Sequence, residues 1–276
     1  MATEQIERLT LDVAGVVMAV DLPAGWLPPL AARYAEFASD ALPAWHVTLQ
    51  HDPTLDDEPA GWIEHTEQLT RFRVHANAGW LNLDEHRAAI SSPTQARAFS
   101  AVERILVYIC MQTLPREHAG LLLHASGVMR HGGGHVFVGP SGAGKTTVAR
   151  LAEGYGRVLC DENVILRTGD AGPELWSTPF WGFSTPPEMI VRAQLNVPLR
   201  AVYILAQTPG FELTRLAPGQ AALGLLGSEK VAVERPASAN AWLAAAERLV
   251  SQVPVYRLGF RPTVELWSFL DETVPT

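Results

Sequence analysis

The run His135-Val136-Phe137-Val138, then Gly139-Pro140-Ser141-Gly142-Ala143-Gly144-Lys145-Thr146, then Thr147-Val148-Ala149-Arg150-Leu151-Ala152 decides how this chain is read. Its centre satisfies G-x-x-x-x-G-K-[ST], a pattern that carries meaning only between a strand and a helix. The four residues before it are β-branched or aromatic, and those after it are helix formers with apolar residues at helical spacing, so that context is present. Glycine lets main-chain N–H groups close around phosphate oxygens where a Cβ would obstruct them, and a helix starting there turns its positive dipole end toward the same anion. The spacing therefore predicts a nucleoside triphosphate cradle formed by Gly139, Ser141, Gly142, Ala143, Gly144, Lys145, Thr146 and Thr147. Lys145 is placed to neutralise the terminal phosphates, and the Thr146 hydroxyl to complete the shell of a Mg²⁺ ion.

A chain of 276 residues accommodates one large or two ordinary domains. Its formal net charge of −8 argues against a general nucleic-acid or anionic-membrane partner, since like charges repel. The opening Met1-Ala2-Thr3-Glu4-Gln5-Ile6-Glu7 lacks a basic region followed by an apolar stretch, and no later run reaches membrane-spanning length, so a cytoplasmic location is expected. Cys110 and Cys160 are the only cysteines; lying far apart in apolar segments, they read as core thiols rather than as a disulfide or metal site. His131 and His135 flank three glycines, a composition that reads as a hairpin turn more readily than as a rigid ligand pair. Self-association is left open.

Residues 1–115 read as a strand-rich α+β region, with β-type runs over Leu9 to Val20 and Thr70 to Leu83, a short helix over Pro29 to Asp40 and an acidic loop over Asp52 to Pro59. Trp26, Trp45, Trp62 and Trp80 fit core packing better than a ligand face. A helix is predicted from Gln95 to Leu114, ended with the help of Pro115. Residues 116–276 then form a second domain. Leu121 to Val128 and His135 to Val138 bracket Arg130-His131-Gly132-Gly133-Gly134 as a hairpin; the loop helix ends near Gly154 and Gly156, and Arg157 to Cys160 begins another strand. Further along, Ala201 to Ala206 and Glu212 to Leu216 are expected to pair across Thr208-Pro209-Gly210. Helices over Pro218 to Leu226 and Ser238 to Val250, a strand over Val253 to Gly259 and a helix over Pro262 to Leu270 complete the chain.

Asp161-Glu162 lies sixteen positions past Lys145, at the end of the Arg157 strand. Carboxylates emerging at the carboxyl end of a strand adjacent to a phosphate loop can reach the metal or the attacking hydroxyl, and they are costly to desolvate unless used. Asp161 fits a general base and Glu162 a metal partner, directly or through water, although the two roles are exchangeable.

Taken together, Leu123-His124-Ala125-Ser126-Gly127, Gly139 to Thr147 and Arg157-Val158-Leu159-Cys160-Asp161-Glu162 resemble the catalytic domain of bacterial HPr serine kinase/phosphorylase. That family is itself similar, around its nucleotide site, to ATP-dependent phosphoenolpyruvate carboxykinase. The resemblance covers about forty residues closely. It implies an α/β P-loop fold in the C-terminal half, ATP and Mg²⁺ as cofactors, and phosphoryl transfer to a serine of a protein or peptide. Related kinase-like proteins phosphorylate lasso-peptide precursors. Carried over by position, His124 assists the catalytic carboxylate, Lys145 binds phosphate, Thr146 binds metal, and Asp161 and Glu162 are the acidic pair. The family usually has two aspartates there and a loop helix about one residue longer; its loop for dephosphorylation has no counterpart that aligns, and the N-terminal half does not match its regulatory domain. The segment Ser177-Thr178-Pro179-Phe180-Trp181-Gly182-Phe183 resembles one in divergent relatives and fits either an acceptor groove or a loop packed on the sheet.

Two other readings stay open. Gly142 to Leu151 also resembles shikimate- and gluconate-type kinases, which would make a metabolite the acceptor; those enzymes, however, begin near their phosphate loop and favour Asp-x-Asp. A non-catalytic ATP-binding assembly or regulatory module would use many of the same residues.

Overall fold

The computed structural model describes residues 6–169, 171–181, 188, 191–228 and 239–274, with the backbone alone described for 58–60. The chain is a mixed α/β protein with two sheets, and it divides into two compact units, Met1–Thr113 and, in the described residues, Leu114 onward. Among the described residues no helix is long and apolar enough to cross a membrane.

The first unit holds β1 (Glu7–Val13), β2 (Val16–Leu22), α1 (Leu27–Arg33), β3 (Trp45–His51), β4 (Glu58–His65), β5 (Leu69–His75), β6 (Asn77–Asn82), β7 (Arg87–Ser92) and most of α2 (Ala98–Arg116). Its seven strands lie in the order β1-β2-β3-β7-β6-β5-β4, parallel only where β3 meets β2 and β7. Alternation along β5 explains the packing. Phe72 is buried edge-on against Tyr108 of α2 at 4.8 Å, while Arg71 and Arg73 on either side of it point to the other face. The tryptophans divide accordingly: Trp26 and Trp45 are buried, whereas Trp62 and Trp80 are exposed. The helix expected over Pro29 to Asp40 is shorter and earlier, and a 3₁₀ turn follows it. Pro115 lies inside the last turn of α2. Proline disrupts a helix through the turn before it, yet α2 continues only one residue past Pro115.

The second unit holds β8 (Gly120–Arg130), β9 (Gly133–Val138), α3 (Lys145–Leu151), β10 (Arg157–Cys160), β11 (Asn163–Gly169), β12 (Gly172–Trp176), β13 (Asn196–Gln207), β14 (Glu212–Arg215), α4 (Pro218–Ser228), α5 (Ala239–Gln252), β15 (Val255–Phe260) and α6 (Glu265–Thr273). The β8–β9 hairpin turns through His131 and Gly132, both at positive φ, which suits the right-handed twist of a two-residue hairpin. β9, β13 and β15 run parallel, with β13 between the other two. Both faces of these three strands are covered, as a parallel sheet requires. Val136, Val202 and Val255 pack with Trp242 and Leu249 of α5, while Phe137, Tyr203 and Leu258 pack with Val148 of α3 and Trp267 of α6.

One expected pairing is wrong. β13 and β14 do not form a hairpin: β15 lies between them, parallel to β13 and antiparallel to β14. Pairing neighbours in sequence is the simpler reading of two runs around Pro-Gly. The apolar β15, delivered by the α4–α5 crossover, instead takes the inner position, where both faces are buried.

Candidate phosphate-binding site

The loop Gly139 to Gly144 leaves the carboxyl end of β9 and enters α3 at Lys145. Because β13 and β15 run parallel to β9, their carboxyl ends converge on the same edge, and both touch the loop. The Gln207 side-chain amide donates to the Gly142 carbonyl at 2.7 Å. A Cβ on Gly144 would stand 2.7 Å from the Phe260 ring, and its φ of +111° is one that L side chains rarely adopt, so this position demands glycine twice over. Gly142, at φ +80°, has open space where a Cβ would be, which leaves that stretch of backbone approachable.

Lys145 is buried, and its ammonium donates to the carbonyls of Gly139 at 2.7 Å and Pro140 at 3.2 Å. It is one of only two lysines among 21 basic residues. The charge is therefore folded back onto its own loop, braced by carbonyl dipoles. Ser141 is exposed, while Thr146 and Thr147 are half-buried at the start of the helix. The Thr146 hydroxyl makes no hydrogen bond among the described residues.

The acidic pair sits in a break in the β8 ladder. β8 pairs through its first half with β11 and through its second with β9 and β10, so β10 and β11 lie end to end along it. Asp161 and Glu162 are the kink between them, held by the Ala125 N–H donating to the Glu162 carbonyl at 3.1 Å. β10 runs in the direction of β9, and its carboxyl end faces the same way. It does not pair with β9, because β8 lies between the two. Asp161 is 3% exposed. His124 is opposite Asn163 in register, and its Nδ1 stands 3.3 Å from Glu162 Oε1, an ion-pairing distance when the ring is protonated.

The segment after β12 braces this kink from below. The Thr178 hydroxyl donates to the Asn163 carbonyl at 2.6 Å, and the Cys160 thiol lies within hydrogen-bonding reach of the carbonyls of Asn163 and Phe180. Burial pushes the Cys160 thiol up to about 12, so it remains protonated and unreactive. Ser177, Thr178 and Phe180 are fully buried, so this part of the proposed groove is packing. Trp181 is half-buried under the Arg192 guanidinium at 5.0 Å, and Gly182-Phe183 lie outside the described residues.

Sequence reasoning missed Gln207, Phe260 and Ser126. The first two come from strands 60 to 120 positions away, and nothing local announces them. Ser126 lies on β8 two residues past His124; its hydroxyl is buried with no hydrogen-bond partner among the described residues, a costly arrangement. Its place one residue from Gly127 in the quoted motif was the available signal.

Residues 92–274 match the family model described as SynChlorMet cassette protein ScmC. No curated protein matches the chain. Among solved structures, the HPr(Ser) kinase/phosphatase of Coxiella burnetii is similar at 12% identity and a TM-score of 0.31, over 55% of this chain and 87% of that one.

Proposed function

The chain belongs to the family of SynChlorMet cassette protein ScmC, and we propose that it is an ATP- and Mg²⁺-dependent phosphotransferase that moves a γ-phosphoryl group to a hydroxyl, with a serine of a protein or peptide as acceptor. The observation that carries this reading is where the chain keeps its buried charge. Lys145 and Asp161 are the two charged residues buried among the described ones, and both belong to the carboxyl edge of the second sheet. Burying charge is costly even where partners are present, so keeping both charges beside an approachable glycine loop favours use over packing.

In this reading the N–H groups of Gly139 to Thr147 receive phosphate oxygens, and Lys145 swings from the Gly139 and Pro140 carbonyls to the terminal phosphates. Asp161 accepts the proton of the acceptor hydroxyl as it attacks in line. The hard oxygen donors Thr146, Glu162 and Asp161 fit Mg²⁺, which typically takes one or two carboxylates alongside substrate phosphates. Mg²⁺ held there would supply positive charge to offset the charge developing during transfer. His124 orients Glu162. The choice of a protein or peptide serine rests on the resemblance of Leu123 to Gly127 and Arg157 to Glu162 to HPr serine kinase.

The test is to incubate the protein with γ-labelled ATP, Mg²⁺ and a lysate of its own organism, identifying labelled species by mass spectrometry. Label should appear on a serine-bearing polypeptide and fall about 10²- to 10³-fold with Lys145→Ala, the scale of a lost phosphate-stabilising donor. ATP affinity and labelling both unchanged in that variant would sink the proposal.

A further inference from the structure

At the amino ends of β9 and β13, away from the phosphate loop, a cavity of about 110 Å³ opens beside the β8–β9 turn. Only the segment from His135 to Gly139 separates it from the loop along β9, roughly 13 Å of extended chain. One wall is apolar, formed by Trp267 and Leu270; the other carries Arg130, Arg200, His131 and His135 with a single carboxylate, Asp271.

These charged groups are not equivalent. Arg130 is fully engaged: its Nε donates to Asp271 Oδ1 at 3.0 Å, its Nη2 to Asp271 Oδ2 and its Nη1 to the Tyr155 carbonyl at 2.7 Å. Asp271 is thereby held below the usual carboxylate range, chiefly by the Arg130 hydrogen bonds, and remains ionised to neutralise that arginine. His131 is also near it, with Nε2 at 3.6 Å from Oδ1. Arg200 makes neither hydrogen bond nor ion pair among the described residues, so its charge has no counter-ion there. His135 bonds Tyr203 through Nδ1 at 3.1 Å. Burial, then the positive field of Arg130, lowers it to about 4, so near neutral pH it presents an uncharged ring whose other nitrogen has no partner among the described residues.

We propose that this cavity is a binding site for a small oxyanion of phosphate or carboxylate type, held by the Arg200 guanidinium with His131 and His135 as additional hydrogen-bonding groups. The volume admits a group of that size, and the surplus positive charge sets the sign. Arg130 with Asp271 acts as a fixed wall.

The experiment is a calorimetric titration of the full chain carrying Lys145→Ala, which removes the phosphate-loop cation, with inorganic phosphate and separately with acetate as probes. At least one probe should bind saturably near stoichiometrically, and adding Arg200→Ala should weaken it at least 10-fold while Arg200→Lys restores part of the loss. Tighter binding of phosphate identifies a phosphate-bearing ligand, and tighter binding of acetate a carboxylate. Neither probe binding, or binding indifferent to Arg200→Ala and His131→Ala in variants that keep the wild-type melting temperature, would overturn the proposal. The outcome does not depend on what the phosphate loop binds.

Discussion

Both sheets are mixed and both are backed by helices, yet they enclose different chemistry. The buried polar residues of the first unit, Thr70, Asn77, Ser92, Gln112 and Thr113, are all neutral, and single contacts serve two of them: Thr70 meets His65 at 2.9 Å, and Ser92 donates to the Thr94 carbonyl at 3.0 Å. The second unit buries Lys145 and Asp161. A neutral hydroxyl is satisfied by one hydrogen bond, whereas a buried charge needs several partners or a ligand. Among the described residues the first unit therefore buries only neutral polar groups, and the second carries its buried charge at one sheet edge.

Substitutions can break or sharpen that contrast. The largest expected effect is on rate: Asp161→Asn keeps the shape of the side chain but cannot take a proton, so single-turnover transfer should fall about 10²- to 10⁴-fold with nucleotide affinity nearly unchanged. A wild-type rate would remove Asp161 as the base and leave the second unit's buried charge without its proposed purpose. In the first unit, Phe72→Ala should cost about 3–5 kcal/mol in urea unfolding by emptying the space against Tyr108, while transfer per folded molecule is unaltered. A large loss of rate in the folded variant would erase the division between the units.

Acid should act on the second unit next. His135 stays neutral in the fold down to about 4, whereas in the unfolded chain it titrates near its ordinary 6.5. Between those values the unfolded state binds a proton that the folded state does not, so the contribution is complete above pH 6.5 and is lost as pH falls toward 4. About 2 kcal/mol should be gone by pH 5. Comparing urea unfolding at pH 7 and pH 5 for wild type and His135→Gln isolates this share; equal pH dependence in the two would refute it. The smallest effect belongs to the outer face of the first sheet, where Trp62→Ala should change stability by less than about 0.5 kcal/mol, because that side chain is 46% exposed.

The parts that could be read in advance share a property: everything needed to recognise them lies within a few turns of chain. The β8–β9 hairpin, the glycine loop, the α3 start and the β10 strand are contiguous from Gly120 to Cys160, and each is announced by local composition. The error over β13 and β14 has the opposite character. Both strands were recognisable as strands, but propensity reports that a segment is extended and not which strand it will pair with. Likewise Gly169-Asp170-Ala171-Gly172 is a turn signal between β11 and β12, but their place in the sheet depends on β8 changing partners midway along its length.

The sequence by itself carried the G-x-x-x-x-G-K-[ST] run from Gly139 to Thr146 and the residue types Asp161, Glu162 and His124 around it, because motif chemistry depends on spacing along the chain. Only the tertiary structure decided that β15 would separate β13 from β14, that Gln207 and Phe260 would close on the loop, that His124 would face Glu162, and that Arg130, Arg200 and the two histidines would gather at the far end of β9. The physical reason is that sheet hydrogen bonds and core contacts join residues tens to more than a hundred positions apart, and their free energy is set by which surfaces can be buried together, a quantity no local stretch of chain contains.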